Sequence, residues 1–156
     1  MKVLAWITEG GWEACVDAAA ALDATEVTLL YVTSVDLPGP RGRRHEAVME
    51  RMNALAGEAA HALLEDAEER LGRPAQRVVA DGEPESVVYA AAAESDVLVV
   101  ARDGRHAGPH SIGHSQRWVI DHAPCTVVLA WPVGAPDDDG HPPPKPKPKP
   151  KPKPHP

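Results

Sequence analysis

The stretch GRHAGPHSIGHSQRWVIDHAPCTVVLAW, residues 104 to 131, carries three glycines and four histidines ahead of an apolar run. Glycines let backbone amides approach an anion closely. A helix N-terminus adds N–H donors that lack carbonyl partners, together with a partial positive charge, so a glycine loop that feeds a helix is suited to phosphate. Histidines at helical spacing suit a transition metal when one face presents them. A plain connection between two elements is the third reading.

His106, His110 and His114 recur every four residues, and His122 lies eight further on. Gly108, Pro109 and Gly113 interrupt the run, so a continuous helix cannot present it. No acidic or cysteine ligand is fixed beside these histidines, and no metal is assigned. They are expected to be solvated or to face phosphate, with His122 structural.

Other catalytic signatures are missing. HSIG falls short of the G-x-S-x-G nucleophile elbow, no Walker sequence occurs, and no G-x-G-x-x-G follows the first apolar run. Glu65, Glu68 and Glu69 sit in an otherwise charged helical stretch and read as a solvated face. No catalytic residue is assigned, and binding without turnover is expected. Slow nucleotide hydrolysis would need a metal-holding carboxylate that the sequence does not identify.

The elements that would position the loop follow from periodicity. VLAWI (residues 3 to 7), EVTLLYV (26 to 32), QRVVAD (76 to 81), DVLVVA (96 to 101) and CTVVLAW (125 to 131) read as strands, most of them apolar on both faces. Between them, Trp12 to Leu22 has helical spacing, and a long helix runs from His45 to a stop at Gly72 and Pro74. In that helix Val48, Met52, Leu55, Ala59, Leu63, Ala67 and Leu71 form one stripe, with Met49 and Met52 expected as core fillers. Pro84 opens a third helix whose buried side is Val87, Val88 and Ala91. SQRWVIDHA forms a fourth, with Ser115 as its expected N-cap.

This order predicts an α/β fold, a five-stranded mostly parallel open sheet with helices on both faces, Rossmann-like. In such sheets ligands bind at the carboxyl ends of the strands. The glycine-histidine loop leaves the carboxyl end of the fourth strand. Trp6, Trp12, Trp118 and Trp131 fall at or near element ends and are expected in the core or an interface, Trp131 above all.

Composition bounds the rest. A chain of 156 residues fits one core, and its cysteines, Cys15 and Cys125, form neither a disulfide framework nor a zinc motif. No apolar run reaches membrane-spanning length, and the N-terminus enters a strand without signal-peptide character, so a cytoplasmic protein is expected. Net charge is −7, and the acidic body argues against a general nucleic-acid binder. Residues 1 to 134 read as the domain and 135 to 156 as a disordered tail, acidic at first and then alternating Lys and Pro. From Pro142 onward an extended polyproline II form would reach roughly 45 Å. The tail is either a solvated tether or a basic lure for an anionic partner.

GEPESVVYAAAAESDVLVVARDG followed by GPHSIGHSQRWVIDHAPCTVVLAW resembles the universal stress protein family, and VLAWITEGGWEACVDAAAALDATEVTLLYV resembles the family's opening strand-helix-strand. The resemblance spans roughly residues 2 to 132, and HAPC at 122 to 125 is its most specific piece. It implies an adenine-nucleotide α-hydrolase-like fold and a homodimer formed through the last strand, residues 125 to 131. It also implies that the chain falls among members that bind ATP or among those that do not.

ATP-binding members carry glycine, two residues, glycine, nine residues, then glycine and a hydroxyl residue. Here Ala101 stands at the first glycine, eight residues separate Gly104 from Gly113, and His114 replaces the hydroxyl residue, with Ser115 next. Thr8 stands about where nucleotide-binding members have an aspartate. Ala101 would crowd a close backbone approach, and Asp103 adds negative charge, while Arg102 and Arg105 add positive charge.

Two functions follow. In the first, ATP or another adenine nucleotide is held with its phosphates at Gly104, Gly113, His114 and Ser115, its base near Ile7 and Thr8, and charge from Arg102 and Arg105. In the second, the pocket is empty and a dimeric interaction or tethering protein acts through the last-strand edge and the Lys-Pro tail.

Overall fold

A computed structural model describes residues 1–34, 39–103 and 108–132. The Lys-Pro tail, Gly104, Arg105 and His106 lie outside the described residues. The chain alternates β1 (Lys2–Trp6), α1 (Trp12–Ala20), β2 (Glu26–Thr33), α2 (Arg43–Leu71), β3 (Gln76–Asp81), α3 (Pro84–Ala93), β4 (Val97–Ala101), α4 (His114–His122) and β5 (Thr126–Ala130). A short 3-10 turn, Gly108–Ser111, precedes α4.

All five strands are parallel, in the order β3-β2-β1-β4-β5. Strand order therefore reverses direction between β1 and β4, and the crevice of a doubly wound sheet opens at that switch. The central strands are apolar on both faces because both are covered. Val3, Ala5 and Ile7 join a core with Cys15, Val16 and Ala19 of α1 and Leu64, Ala67 and Leu71 of α2. Leu4 and Trp6 point the other way, into a core with Val88 and Ala92 of α3 and Val119 of α4. Alternate residues of one strand thus feed two cores.

α2 ends where the sequence says it should. Gly72 takes the left-handed conformation (φ 72°) and its N–H returns to the Glu68 and Glu69 carbonyls, a turn that a side chain would strain. The inward stripe is only half as long as periodicity suggests. Ala60, Leu64, Ala67 and Leu71 are buried, whereas Val48, Met52 and Leu55 stand 44%, 40% and 55% exposed. Met52 is therefore not a core filler, and Met49 is half-buried. A 29-residue helix outruns the sheet it packs on, so its first half has nothing among the described residues to cover it. In α3 the buried pair is Val88 and Ala92, with Val87 and Ala91 half-buried beside them.

Candidate crevice at the carboxyl ends of β1 and β4

At the switch point β1 runs out through Ile7 and Thr8 into the turn that starts α1. Ile7 is buried in the α1–α2 core and its N–H is taken by the Leu30 carbonyl, so Thr8, half-buried, is the first side chain at the crevice. Gly11 follows as the residue preceding α1, and its N–H donates to the Thr8 carbonyl at 3.3 Å. A Cβ on Gly11 would stand 2.8 Å from the Ala101 Cβ and 2.9 Å from the Arg102 carbonyl oxygen. The φ of Gly11 is negative (−157°), so the close contact, not a left-handed backbone, is what asks for glycine there. The methyl of Ala101, buried, therefore fills the space that Gly11 leaves at the start of α1. Gly11 is not singled out from the sequence, although the Gly10–Gly11 pair was the available signal.

From β4 the chain passes through Arg102 and Asp103. The Arg102 N–H donates to the Ala130 carbonyl at 2.9 Å, which extends the β4–β5 pairing by a residue. Its guanidinium lies 4.3 Å from the centre of the Trp131 ring, and Nη1 donates to Ser111 Oγ at 2.8 Å. Arg102 Nε is buried and has no hydrogen-bond partner among the described residues. Asp103 N–H donates to the Ser111 carbonyl at 2.7 Å, so Ser111, wholly buried, pins the far end of the loop to its start. Ser111 was not singled out from sequence, because only the fold brings it back to Arg102.

α4 begins at His114 with Gly113 as the residue before it, so Ser115 is not the N-cap. The Gly113 N–H donates to Gln116 Oε1 at 3.2 Å, and Gln116 Nε2 donates to the Ala101 carbonyl at 3.1 Å. Gln116, three residues on from Gly113, thus closes the first turn on the Gly113 N–H and ties α4 to the end of β4. The Ser115 hydroxyl instead donates to Glu85 Oε1 at 2.9 Å, toward α3. The first helical bond of α4 runs from the Arg117 N–H to the Gly113 carbonyl, so the amides of His114, Ser115 and Gln116 lie beyond any intrahelical acceptor.

Carboxylates rim the same end of the sheet. The Glu85 carboxyl is held below the ordinary range first by its own backbone N–H and then by the Ser115 hydroxyl. Burial, with Glu9 beside it, pushes the Tyr31 hydroxyl up, and that hydroxyl donates to Glu9 Oε1 at 3.3 Å. Asp103 Oδ1 lies 4.0 Å from where a Gly10 Cβ would stand, so the turn after β1 and the loop after β4 meet across the switch. No group of three His, Cys, Asp or Glu residues among the described residues is placed to hold a metal ion. His122 Nδ1 lies 2.8 Å from the Trp118 carbonyl and its ring stacks on Trp118 at 4.2 Å, a local structural contact.

A second concavity, about 560 Å³, opens at the amino ends of the strands between Lys2, Leu4, Thr28, Val78, Ala91 and Ser95. The C-terminal end of α3 borders it, and that end repels anions.

Of the residues expected to bind, the fold brings together Thr8, Ala101, Arg102 and Gly113, linked by Gly11, Ser111 and Gln116. It turns Ile7 into the core and Ser115 toward α3, and His114 is exposed. A sequence model described as the universal stress protein family matches residues 11–130 of this arrangement. The chain belongs to the universal stress protein family.

Solved structures agree in fold. The universal stress protein UspA from Lactobacillus plantarum is 19% identical with a TM-score of 0.60, over 83% of this chain and 97% of that one. A universal stress protein in complex with cAMP is 15% identical with a TM-score of 0.59, over 84% and 96%. A family member from Arabidopsis thaliana with AMP bound is 16% identical with a TM-score of 0.55, over 85% and 92%. No curated protein sequence matches the chain. No helix among the described residues of this universal stress protein is long and apolar enough to cross a membrane.

Proposed function

We propose that this universal stress protein is a cytoplasmic stress-response binding module that holds ATP or another adenine nucleotide, without turnover, in the crevice between β1 and β4. The observation that carries the reading is the start of α4. Three amides without intrahelical acceptors stand there, and Gln116 fixes them to the end of β4. Structures of the same fold with AMP and with cAMP bound support an adenine nucleotide as the guest.

In this reading the phosphates meet Gly113, His114 and the α4 amides, with Gly104 and Arg105 completing the loop. The base lies beside Thr8 rather than on Ile7, whose side chain is in the core. Arg102 acts through the loop, since Ser111 and Trp131 already hold its guanidinium. The domain is residues 1 to 134, and the tail from 135 is a solvated tether.

One observation favours a second reading. β5 ends the sheet with no strand beyond it among the described residues, and Trp131 just after it is 49% exposed. An open apolar edge invites pairing, so a homodimer through residues 125 to 131, with the Lys-Pro tail reaching for an anionic partner, would act without a nucleotide.

Mass spectrometry of nucleotide released from the purified, denatured protein separates the two. Stoichiometric adenine nucleotide, lost in Gly113→Val, supports the crevice. Gly113 has φ −68° and a Cβ there meets Gln116 Oε1 at 3.9 Å, an ordinary contact, so the backbone accepts a side chain at this position. An empty protein that also fails to take up added ATP, AMP or cAMP moves the function to the edge and the tail.

A further inference from the structure

The first half of α2, from Arg43 to Ala59, contains no buried residue and extends about 25 Å. Val48, Met52, Leu55 and Ala59 run along it at spacings of four, three and four, the seam of an antiparallel or parallel helix pair. All four are exposed, and nothing among the described residues covers them. Isolated apolar side chains on a surface are ordinary, but a continuous seam is not.

The charges beside the seam say what covers it. Arg44, Arg51, Glu58 and Glu65 follow one another at intervals of seven along one flank, so that flank reads plus, plus, minus, minus. The other flank, Met49, Ala56 and Leu63, carries no charge and is half-buried, with Leu63 packed on the core. Two copies side by side in the same direction would set the charged flank against an uncharged one. Reversed, the flank meets itself with every sign matched.

We propose that two copies of this chain associate through the first half of α2, antiparallel, about a two-fold axis near Asn53 and Ala54. Met52 then packs on the partner's Leu55 and Val48 on the partner's Ala59, large against small in the outer layer. With that seam register, Arg51 faces the partner's Glu58 and Arg44 faces the partner's Glu65. The sign order is satisfied by a second copy of the same sequence and by the isologous symmetry of a two-fold interface. Glu65 Oε1 also lies 3.4 Å from Arg77 Nη1 within its own chain, so the Arg51–Glu58 contact is the cleaner one to test.

This surface is distinct from the β5 edge. α2 packs over α1, β2 and β3, at the opposite side of the sheet from β5. An association through α2 therefore leaves β5 free and adds one doubling of mass to whatever β5 forms.

Sedimentation equilibrium of the full chain at micromolar concentration and low salt tests the pairing, using Arg51→Glu, Glu58→Arg and the double variant. Each single change replaces two attractive contacts with two repulsive ones and should raise the dissociation constant of the last doubling about tenfold. The double variant should restore it, and an equimolar mixture of the two single variants should associate as the unaltered protein does. These are exposed helix positions, so all variants fold. A chain that does not associate, an association that ignores the charges, or a double variant that stays dissociated would each overturn the proposal.

Discussion

The guanidinium of Arg102 stands 4.3 Å from the centre of the Trp131 ring, joining the residue after β4 to the residue after β5. The two are neighbours because Ala101 pairs with Ala130 in the parallel register, which carries both chains out of the sheet side by side. One end of the cradle for the loop after β4 is thereby fixed from β5, and the Arg102–Ser111 bond fixes the other. A charge held in this way ties the segments that leave β4 and β5 to the turn before α4.

Trp131→Ala removes the cation–π contact and the apolar cover of the guanidinium. The unfolding free energy should fall by about 1 kcal/mol in urea titration, with Trp131→Phe keeping most of it. Equal losses in the two variants would mean that a phenyl face keeps nothing of the contact, against a cation–π role for the ring.

Gly11→Ala places a methyl 2.8 Å from the Ala101 Cβ and forces α1 away from the end of β4. The expected cost is about 1–3 kcal/mol by chemical denaturation. Ala101→Gly added to it should return part of the loss and no more, because the Arg102 carbonyl at 2.9 Å remains in the way. This compensation gives the alanine in the family's glycine position a structural reason.

Much of this was legible beforehand, for reasons that differ by residue. QRVVAD is bounded by a helix stop and a glycine turn, and β3 is Gln76–Asp81 as read. Periodicity reports that a helix has an apolar face but says nothing about how much of that face another element covers. That is why Val48, Met52 and Leu55 looked the same as Leu63 and Leu71. The Arg102–Trp131 and Arg102–Ser111 contacts were invisible because they depend on strand register and loop closure. Ser115 looked like a cap by residue type, but α4 opens earlier, at His114 after Gly113, and Gln116 accepts from the Gly113 N–H.

The two halves of α2 should respond differently to the same substitution. Leu64 is fully buried, so Leu64→Ala should cost about 2–5 kcal/mol in urea titration. Leu55 is 55% exposed, so Leu55→Ala measured at protein concentrations low enough to suppress association should cost less than about 0.5 kcal/mol. Similar costs would mean that the first half of α2 is covered within the monomer.

Cys15 gives the fold an alkaline limit. Complete burial pushes its thiol up to about 12 from 9.0, with Sγ 3.5 Å from the Trp6 carbonyl and 3.4 Å from the Val99 carbonyl. Because the folded value is the higher one, the stabilisation is fully present below pH 9.0 and is lost as pH rises toward 12. Denaturation curves taken across that window should show the parent losing stability relative to Cys15→Ala as pH rises. Parallel curves would mean that the thiolate is accommodated in the folded chain.

The central claim is that the crevice takes an adenine nucleotide on the amides that open α4. Isothermal titration of the nucleotide-free protein with ATP, AMP and cAMP, alongside Gly113→Val, tests it most directly. The account predicts one site per chain for at least one of the three, weakened at least tenfold by the valine. No heat with any of them, or equal affinity in the variant, would contradict it.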